Sequence, residues 1–414
     1  MVEQNWSGRG QHAVFKQSER HILNNTLELH KTLGTTATAK VESVKCRRIL
    51  LARKTVLCNR RFPVSKAIDE AAELGRLKHS HILRVIGTYM IGKEFSILLY
   101  PVAEYNLGDW LAFIRKPVAR DYKHWHVNVS STTRFLPCLS AAVQYMHSRF
   151  TKHMDIKPHN VLVRRTMSGN LPQFSVFLAD FGISRSYERL EAVETDGRTS
   201  FTYKYAAPEV IDQNYRGLSA DIFSLGCVFL EICTSVIDAY AKKSWVDKAT
   251  GLAKSTSSQF TQLCHLLGEG STEPKPYSAN ISELQTYLNT VPFKVSCIPQ
   301  DPSAIISAMI SLNPRDRPNA DTLVRHFGKH HCCREVVPPL EAMVEDLNED
   351  VSDEEDDEEN WLTSVHSHDD YLLAGMGACW QPGQRDIVRY AENSISEQSR
   401  SHRGKFVRYD DTAD

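Results

Sequence analysis

His153-Met154-Asp155-Ile156-Lys157-Pro158-His159-Asn160, followed by Asp180-Phe181-Gly182, is the part of this 414-residue chain whose reading decides the fold. The two motifs supply three oxygen-bearing side chains and one lysine, where a nucleotide's metal-bound phosphates and an attacking hydroxyl could be held. Phosphoryl transfer needs little covalent help from a protein. Its demands are positional: a carboxylate to orient the hydroxyl, oxygen ligands for a divalent cation, and positive charge on the phosphate oxygens. This stretch meets the first two and provides one of the cations.

Downstream, Ala207-Pro208-Glu209 completes an ordered set. Asp180 follows Asp155 by 25 residues and Glu209 follows Asp180 by 29, which leaves room for a β-hairpin and then a loop. With these motifs in this order, residues 25–332 resemble the eukaryotic protein kinase family, over about three quarters of the chain. The resemblance implies an α+β, two-lobed protein kinase-like fold, with a small β-rich N-lobe (25–103) and a larger, mainly helical C-lobe (104–332). It also implies ATP and Mg²⁺ as cofactors. Asp155 would orient the hydroxyl, Lys157 would steady the transferred group, and Asn160 and Asp180 would hold the metal.

The earlier sequence fits the same order. Leu27 to Leu33 reads as a first strand, leading into Gly34-Thr35-Thr36-Ala37-Thr38-Ala39-Lys40-Val41. In the family this is a glycine-rich hairpin over the phosphates, where missing side chains permit close backbone approach. Here only Gly34 remains, and Thr36 and Ala39 stand where later glycines would be; Val41 closes the segment above the nucleotide. Leu50 to Val56 reads as a buried strand, with Ala52 against adenine and Lys54 on the phosphates. Ser65 to Lys78 has helical spacing of Ala67, Ala71, Leu74 and Leu77. Glu70 is assigned as the partner of Lys54, with Glu73 on the same helix as the alternative.

Ser96 to Ala103 reads as a strand ending at a proline between the lobes, with Tyr100 at the rear wall of the adenine site. Pro101 has no N–H to donate, so Ala103 is the expected donor to adenine. The segment Leu98 to Leu111 also resembles kinases of filamentous fungi. Arg134 to Arg149 carries a core-facing stripe. Leu162 is expected beneath adenine, Asp221 against the catalytic loop, and Arg317 against Glu209. Lys157 and Thr202 match the serine/threonine type, so the expected partner is a protein with a Ser or Thr acceptor. The runner-up is a pseudokinase acting as a binding or scaffold module. Met154 stands where the family usually has arginine, so phosphorylation at Thr195, Thr199 or Ser200 is expected to matter little.

Composition sets the remaining expectations. Met1 to Gly10 is polar and no run of 18 apolar residues occurs, so neither secretion nor a membrane partner is expected. The expected location is cytoplasmic or nuclear, and no nucleic-acid partner is expected. Ten cysteines without a CxxC pair read as reduced thiols. The cluster His330-His331-Cys332-Cys333 offers zinc ligands but has no matching second pair in sequence. The net charge of −1 hides an asymmetry: residues 341–414 hold 20 acidic against 6 basic side chains. Residues 333–414 therefore read as an acidic, disordered tail that either keeps the protein in solution or folds back on the basic catalytic unit. Ser352, before Asp353-Glu354-Glu355, reads as a site for an acid-directed kinase. Residues 1–24 read as an N-terminal extension.

Overall fold

Strands dominate the first hundred residues, from a short alternating segment at His12–Phe15 to the almost continuously buried run Glu94–Tyr100. The computed structural model describes residues 5–333 apart from 36–38, 61, 117–121, 169–170, 183, 188–200, 215, 246–257, 270–273, 292 and 294–299. The acidic tail, Ser352, Thr36, Thr195, Thr199 and Ser200 lie outside the described residues. Six strands, β1 (His12–Phe15), β2 (Glu28–Thr35), β3 (Ala39–Cys46), β4 (Ile49–Leu57), β5 (Arg84–Ile91) and β6 (Glu94–Tyr100), form one sheet in the order β1-β5-β6-β4-β3-β2. Between β4 and β5 lies helix α2 (Val64–Arg76), whose buried side includes Ala67, Glu70, Ala71 and Leu74. Ahead of it, α1 (Arg20–Thr26) buries Leu23.

The residues read as an N-terminal extension supply part of this sheet. β1 runs parallel to β5, with His12 opposite Thr88 and Phe15 opposite Ile91. Trp6 is only 1% exposed, its ring 5.8 Å from Tyr89 and 6.4 Å from Phe15, and its indole N–H donates to the Gln11 carbonyl at 2.8 Å. Opposite it sits Gly87, where a Cβ would collide with the Trp6 indole and the Gln11 carbonyl. The outer face of the sheet thus has its own apolar cluster, joining Trp6, Phe15, Leu23, Val44 and Leu98.

The inner face merges with the C-lobe core through Ala52, Ile97 and Leu99. That lobe contains α3 (Leu107–Ile114), α4 (Tyr122–His147), α5 (Pro208–Ile211), α6 (Ser219–Trp245), α7 (Gln259–Leu266), α8 (Ile281–Thr290), α9 (Ser303–Met309) and α10 (Ala320–Phe327). A small sheet, β7 (Tyr105–Asn106) with β9 (Val161–Ser168) and β10 (Leu171–Leu178), lies under the interlobe connector. β8 (Thr151–Lys152) pairs with β11 (Arg185–Ser186). Within α6, Ser219–Ala241 is long and apolar enough to cross a membrane, yet its most apolar stretch is wholly buried inside the C-lobe. Gly226 lets it pack closely, since a Cβ there would lie 2.8 Å from the Met309 Cβ on α9.

Because Trp6 fills a closed apolar site, Trp6→Ala should lower folding stability by about 3–5 kcal/mol, in the usual range for removing a buried aromatic. Urea or thermal unfolding of the full chain measures this. A loss below about 1 kcal/mol would mean that residues 5–15 rest only lightly on the sheet.

Candidate active site

The catalytic loop is shaped by one buried carboxylate. Asp221, in the first turn of α6, accepts the backbone N–H groups of His153 and Met154, each at 2.8 Å, and lies 3.2 Å from His147 Nε2. Met154 has φ +67°, a left-handed conformation that side chains adopt at a cost. The two bonds to Asp221 hold it there. Burial opposes ionisation of Asp221, but the hydrogen bond from His147 and the surrounding donors outweigh burial and keep its carboxyl below the usual carboxylate range. His153 in turn places Nε2 3.0 Å from the Ala179 carbonyl, and its ring packs 4.7 Å from that of Phe181. The loop carrying Asp155 and the strand end leading to Asp180 are therefore fixed to each other.

Asp155 is then oriented from three sides. Thr202 Oγ1 donates to Oδ1 at 2.6 Å, and Lys157 Nζ donates to Oδ2 at 2.7 Å and to Thr202 Oγ1 at 2.7 Å. Asn160 Nδ2 lies 2.9 Å from both the Asp155 carbonyl and Oδ2. A carboxylate accepts about four hydrogen bonds, so Asp155 retains capacity for an incoming hydroxyl. Asn160 spends its amide nitrogen on Asp155, which leaves Oδ1 for a cation. That oxygen and the Asp180 carboxylate are of the hard type that divalent metals such as Mg²⁺ prefer.

Lys54 connects the lobes. Its ammonium lies 2.6 Å from Glu70 Oε1 on α2 and 3.0 Å from Asp180 Oδ1. Glu73 instead pairs with Arg76 at 3.2 Å. Burial disfavours the charged form of Lys54, yet the carboxylates of Glu70 and Asp180 more than compensate and raise its pKa. Packing in the cleft likewise opposes the charge on Asp180, and Lys54 pulls its carboxyl below the ordinary range. Asp180 has φ +60°, another left-handed residue held by its partners.

The other expected nucleotide residues fall around this pair. Gly34 on β2 faces Val41 on β3, Val41 pairs with Lys54, and Ala52 pairs with Leu99. Leu162 on β9 packs against the main core, opposite Phe177 of β10. Ala103 lies in the connector after Tyr100. Tyr100 itself is a correction: its ring belongs to the outer cluster, and its hydroxyl accepts from Arg164 Nη1 at 3.1 Å. Strand alternation turns its neighbour Leu99, and not Tyr100, to the face shared with Ala52. Counting residues back from the proline missed this; the period of two from Ile97 would have found it. His147, the side-chain partner of Asp221, was not singled out in the sequence.

Activation-segment anchoring is equally specific. Arg317, with a fully buried side chain, forms a two-pronged pair with Glu209 at 2.7 and 2.8 Å and donates to the Ser219 and Ser311 carbonyls. Lys152 is fully buried and donates to the Arg216 carbonyl at 3.0 Å.

A family model of the protein kinase domain matches residues 27–327, and the chain belongs to the eukaryotic protein kinase family. It is similar to "Mitogen-activated protein kinase kinase kinase 2" of Arabidopsis thaliana, 27% identical over 67% of this chain and 36% of that protein. It is also similar to "Mitogen-activated protein kinase kinase kinase 6" of Homo sapiens, 33% identical over 40% of this chain and 12% of that protein. "Cyclin-dependent kinase B2-1" of Oryza sativa subsp. japonica is 27% identical over 63% of this chain and 75% of its own length. The chain thus spans 12% and 36% of the lengths of the first two relatives. Membership in the family implies ATP and a divalent metal as partners of this cleft.

Thr202→Val keeps the shape of the side chain and removes its hydroxyl from the triangle with Asp155 and Lys157. Hydrogen bonds to charged groups are worth about 1.5–3 kcal/mol, so turnover should fall roughly 10- to 100-fold with ATP affinity little changed. Steady-state kinetics on a protein substrate test this, and unaltered turnover would remove Thr202 from the site.

Proposed function

We propose that this chain is a serine/threonine protein kinase that transfers the γ-phosphoryl group of Mg-ATP to Ser or Thr hydroxyls of protein substrates. The observation that carries this reading is the triangle Asp155–Lys157–Thr202, with Asp155 held by Thr202 on one oxygen and by Lys157 and Asn160 on the other. Asp155 orients the acceptor hydroxyl. As the new oxygen–phosphorus bond forms and the bond to the bridging oxygen of ADP breaks, the hydroxyl proton passes to Asp155. Lys157, between Asp155 and Thr202, is placed to meet charge on the transferred group. Lys54, held by Glu70, positions the other phosphates. Asn160 and Asp180 would hold Mg²⁺, which supplies neutralisation of the phosphate charge. Ala52, Leu99, Val41 and Leu162 offer an apolar slot for adenine, with the connector backbone at Ala103 as its hydrogen-bonding edge.

Asp155→Asn should lower turnover by about 10²–10⁴-fold, the usual contribution of a positioned base, while Mg-ATP affinity stays nearly constant. Asp180→Asn should instead weaken Mg-ATP binding itself. Calorimetry and a phosphotransfer assay on the purified chain separate the two effects, and equal turnover in Asp155→Asn and the unaltered protein would overturn the assignment.

One feature favours a second reading, a pseudokinase that binds without turnover. Thr36 and Ala39 stand where close backbone approach to phosphates favours glycine. Ala39 is the first residue of β3 and pairs with Val56 at the end of the β3–β4 ladder. The double change Thr36→Gly and Ala39→Gly should tighten Mg-ATP binding if side-chain crowding limits it, against an entropic cost of about 0.5–1 kcal/mol per glycine. An absence of Mg-ATP binding in both proteins would refute the enzyme and leave the binding module.

A further inference from the structure

Three sulfurs and an imidazole converge from three distant parts of the chain. His81 lies in the loop between α2 and β5, Cys138 lies in α4, and Cys332 and Cys333 follow α10. One ligand atom from each of the four lies within 4.8 Å of all the others. The Cys138 and Cys332 sulfurs are 3.6 Å apart, those of Cys138 and Cys333 3.8 Å, and Cys332 Sγ is 3.3 Å from His81 Nε2. A tetrahedral zinc ion with bonds of about 2.3 Å to sulfur and 2.0–2.1 Å to nitrogen sets its ligand atoms about 3.5–3.8 Å apart. Three of the six separations are thus already near the edges of such a tetrahedron, and the other three lie within 4.8 Å.

The imidazole is set up for this by its other nitrogen. His81 Nδ1 is 2.9 Å from the Val176 carbonyl, which can only accept, so Nδ1 carries the proton. Nε2 therefore turns its lone pair toward the sulfurs. A carbonyl on the far ring nitrogen is the outer contact that fixes the tautomer of metal-bound histidines. His81 is 1% exposed and Cys138 4% exposed, so neither is a chance surface neighbour. His330 Nδ1 lies 2.8 Å from Cys332 Sγ and accepts from the Cys332 backbone N–H at 3.4 Å, which places a further imidazole beside the sulfurs. Arg134 lines the same small pocket and provides positive charge beside a centre that three thiolates would leave with one net negative charge. The sulfur spacings are far from the roughly 2.05 Å of a disulfide, and all three cysteines are free thiols.

We propose that Cys138, Cys332, Cys333 and His81 form a structural zinc site. Binding releases the three thiol protons and leaves the neutral imidazole as the fourth ligand. With four protein ligands the site is closed, so the ion would brace the fold and carry out no chemistry. Its effect would fall on one joint. The His81 carbonyl accepts from Leu178 N at 2.8 Å and Leu83 N donates to the Leu178 carbonyl at 3.1 Å, which docks the loop beyond α2 onto β10. The ion would tie that loop, α4 and the end of the domain together, next to the base of the helix that carries Glu70. The pair Cys332-Cys333 lacked a partner pair in sequence because its completing ligands are 194 and 251 residues away.

Elemental analysis of the full chain, purified with zinc in the medium and dialysed free of loose metal, should find one zinc per chain. Cys138→Ser and the double change Cys332→Ser/Cys333→Ser should each lose it, while Cys58→Ser, at the end of β4, should keep it. Because a ligand variant can misfold, the unaltered protein supplies a second readout: exchange with Co²⁺ should give the visible absorption of a tetrahedral, thiolate-bound cobalt ion. A metal-free protein after zinc reconstitution, full zinc retention in Cys138→Ser, or no such cobalt spectrum would overturn the proposal. So would a thiol titration of the unfolded, unreduced chain that falls two short of the ten cysteines, which would indicate a disulfide.

Discussion

The architecture of the cleft rests on the fully buried Asp221 carboxylate and the two backbone N–H groups it accepts. An ionised group out of water is costly unless its oxygens are satisfied. Here the oxygens are met by His153, Met154 and His147, and the exchange is mutual, because a loop with a left-handed Met154 needs fixed acceptors as much as the carboxylate needs donors. From that anchor the geometry follows in order: His153 fixes the strand end at Ala179, Met154 sets the direction of the chain, and Asp155 emerges aimed into the cleft. Removing only the acceptor would leave two buried donors and a strained residue with nothing to hold them.

Charge pairing between the lobes has a different character. Lys54 belongs to a rigid strand, whereas Glu70 sits on a helix and Asp180 on a short exposed turn, so the three groups report on the relative placement of separate bodies. Burial opposes the charge on Lys54 and on Asp180, and in each case the neighbouring opposite charge outweighs it. Withdrawal of α2 by a few ångströms would strand Glu70, itself 8% exposed, without a cation. The Arg317–Glu209 pair does similar work deeper in the C-lobe, but there every remaining donor is met by backbone carbonyls, so that end is static.

Much of this could be read in the chain because phosphoryl-transfer residues cluster in short motifs, and motifs survive without knowledge of packing. Asp155, Asn160, Asp180 and Lys54 stand in such motifs, whereas Glu70 and Glu73 stayed alternatives in sequence until the structure paired Glu70 with Lys54 and Glu73 with Arg76. Tyr100 was misplaced because one residue of strand register reverses a side chain's face, and the proline after it gave a boundary but no orientation. The role of residues 5–15 was hidden because a four-residue strand pairs with partners 76 positions away, beyond the reach of any local pattern. The sulfur and imidazole ligands were hidden in the same way: helix, loop and chain end meet only after the lobes are built. Long-range contacts were legible only where both partners sit in motifs, as for Arg317 with Glu209 and Asp221 with the loop at His153.

The parallel pairing of β1 with β5 bears on how the molecule is made. A ribosome releases His12–Phe15 first, and their neighbour Thr88–Ile91 emerges only some 76 residues later. Until then Trp6, Phe15 and the apolar side of α1 have no sheet to cover, and they stay open to whatever binds nascent hydrophobic chain. Once Tyr100 has emerged, all six strands are available and this layer can close while the C-lobe is still unsynthesised. Slower synthesis between residues 16 and 84 would lengthen the interval before this pairing can form, without altering a contact of the finished protein.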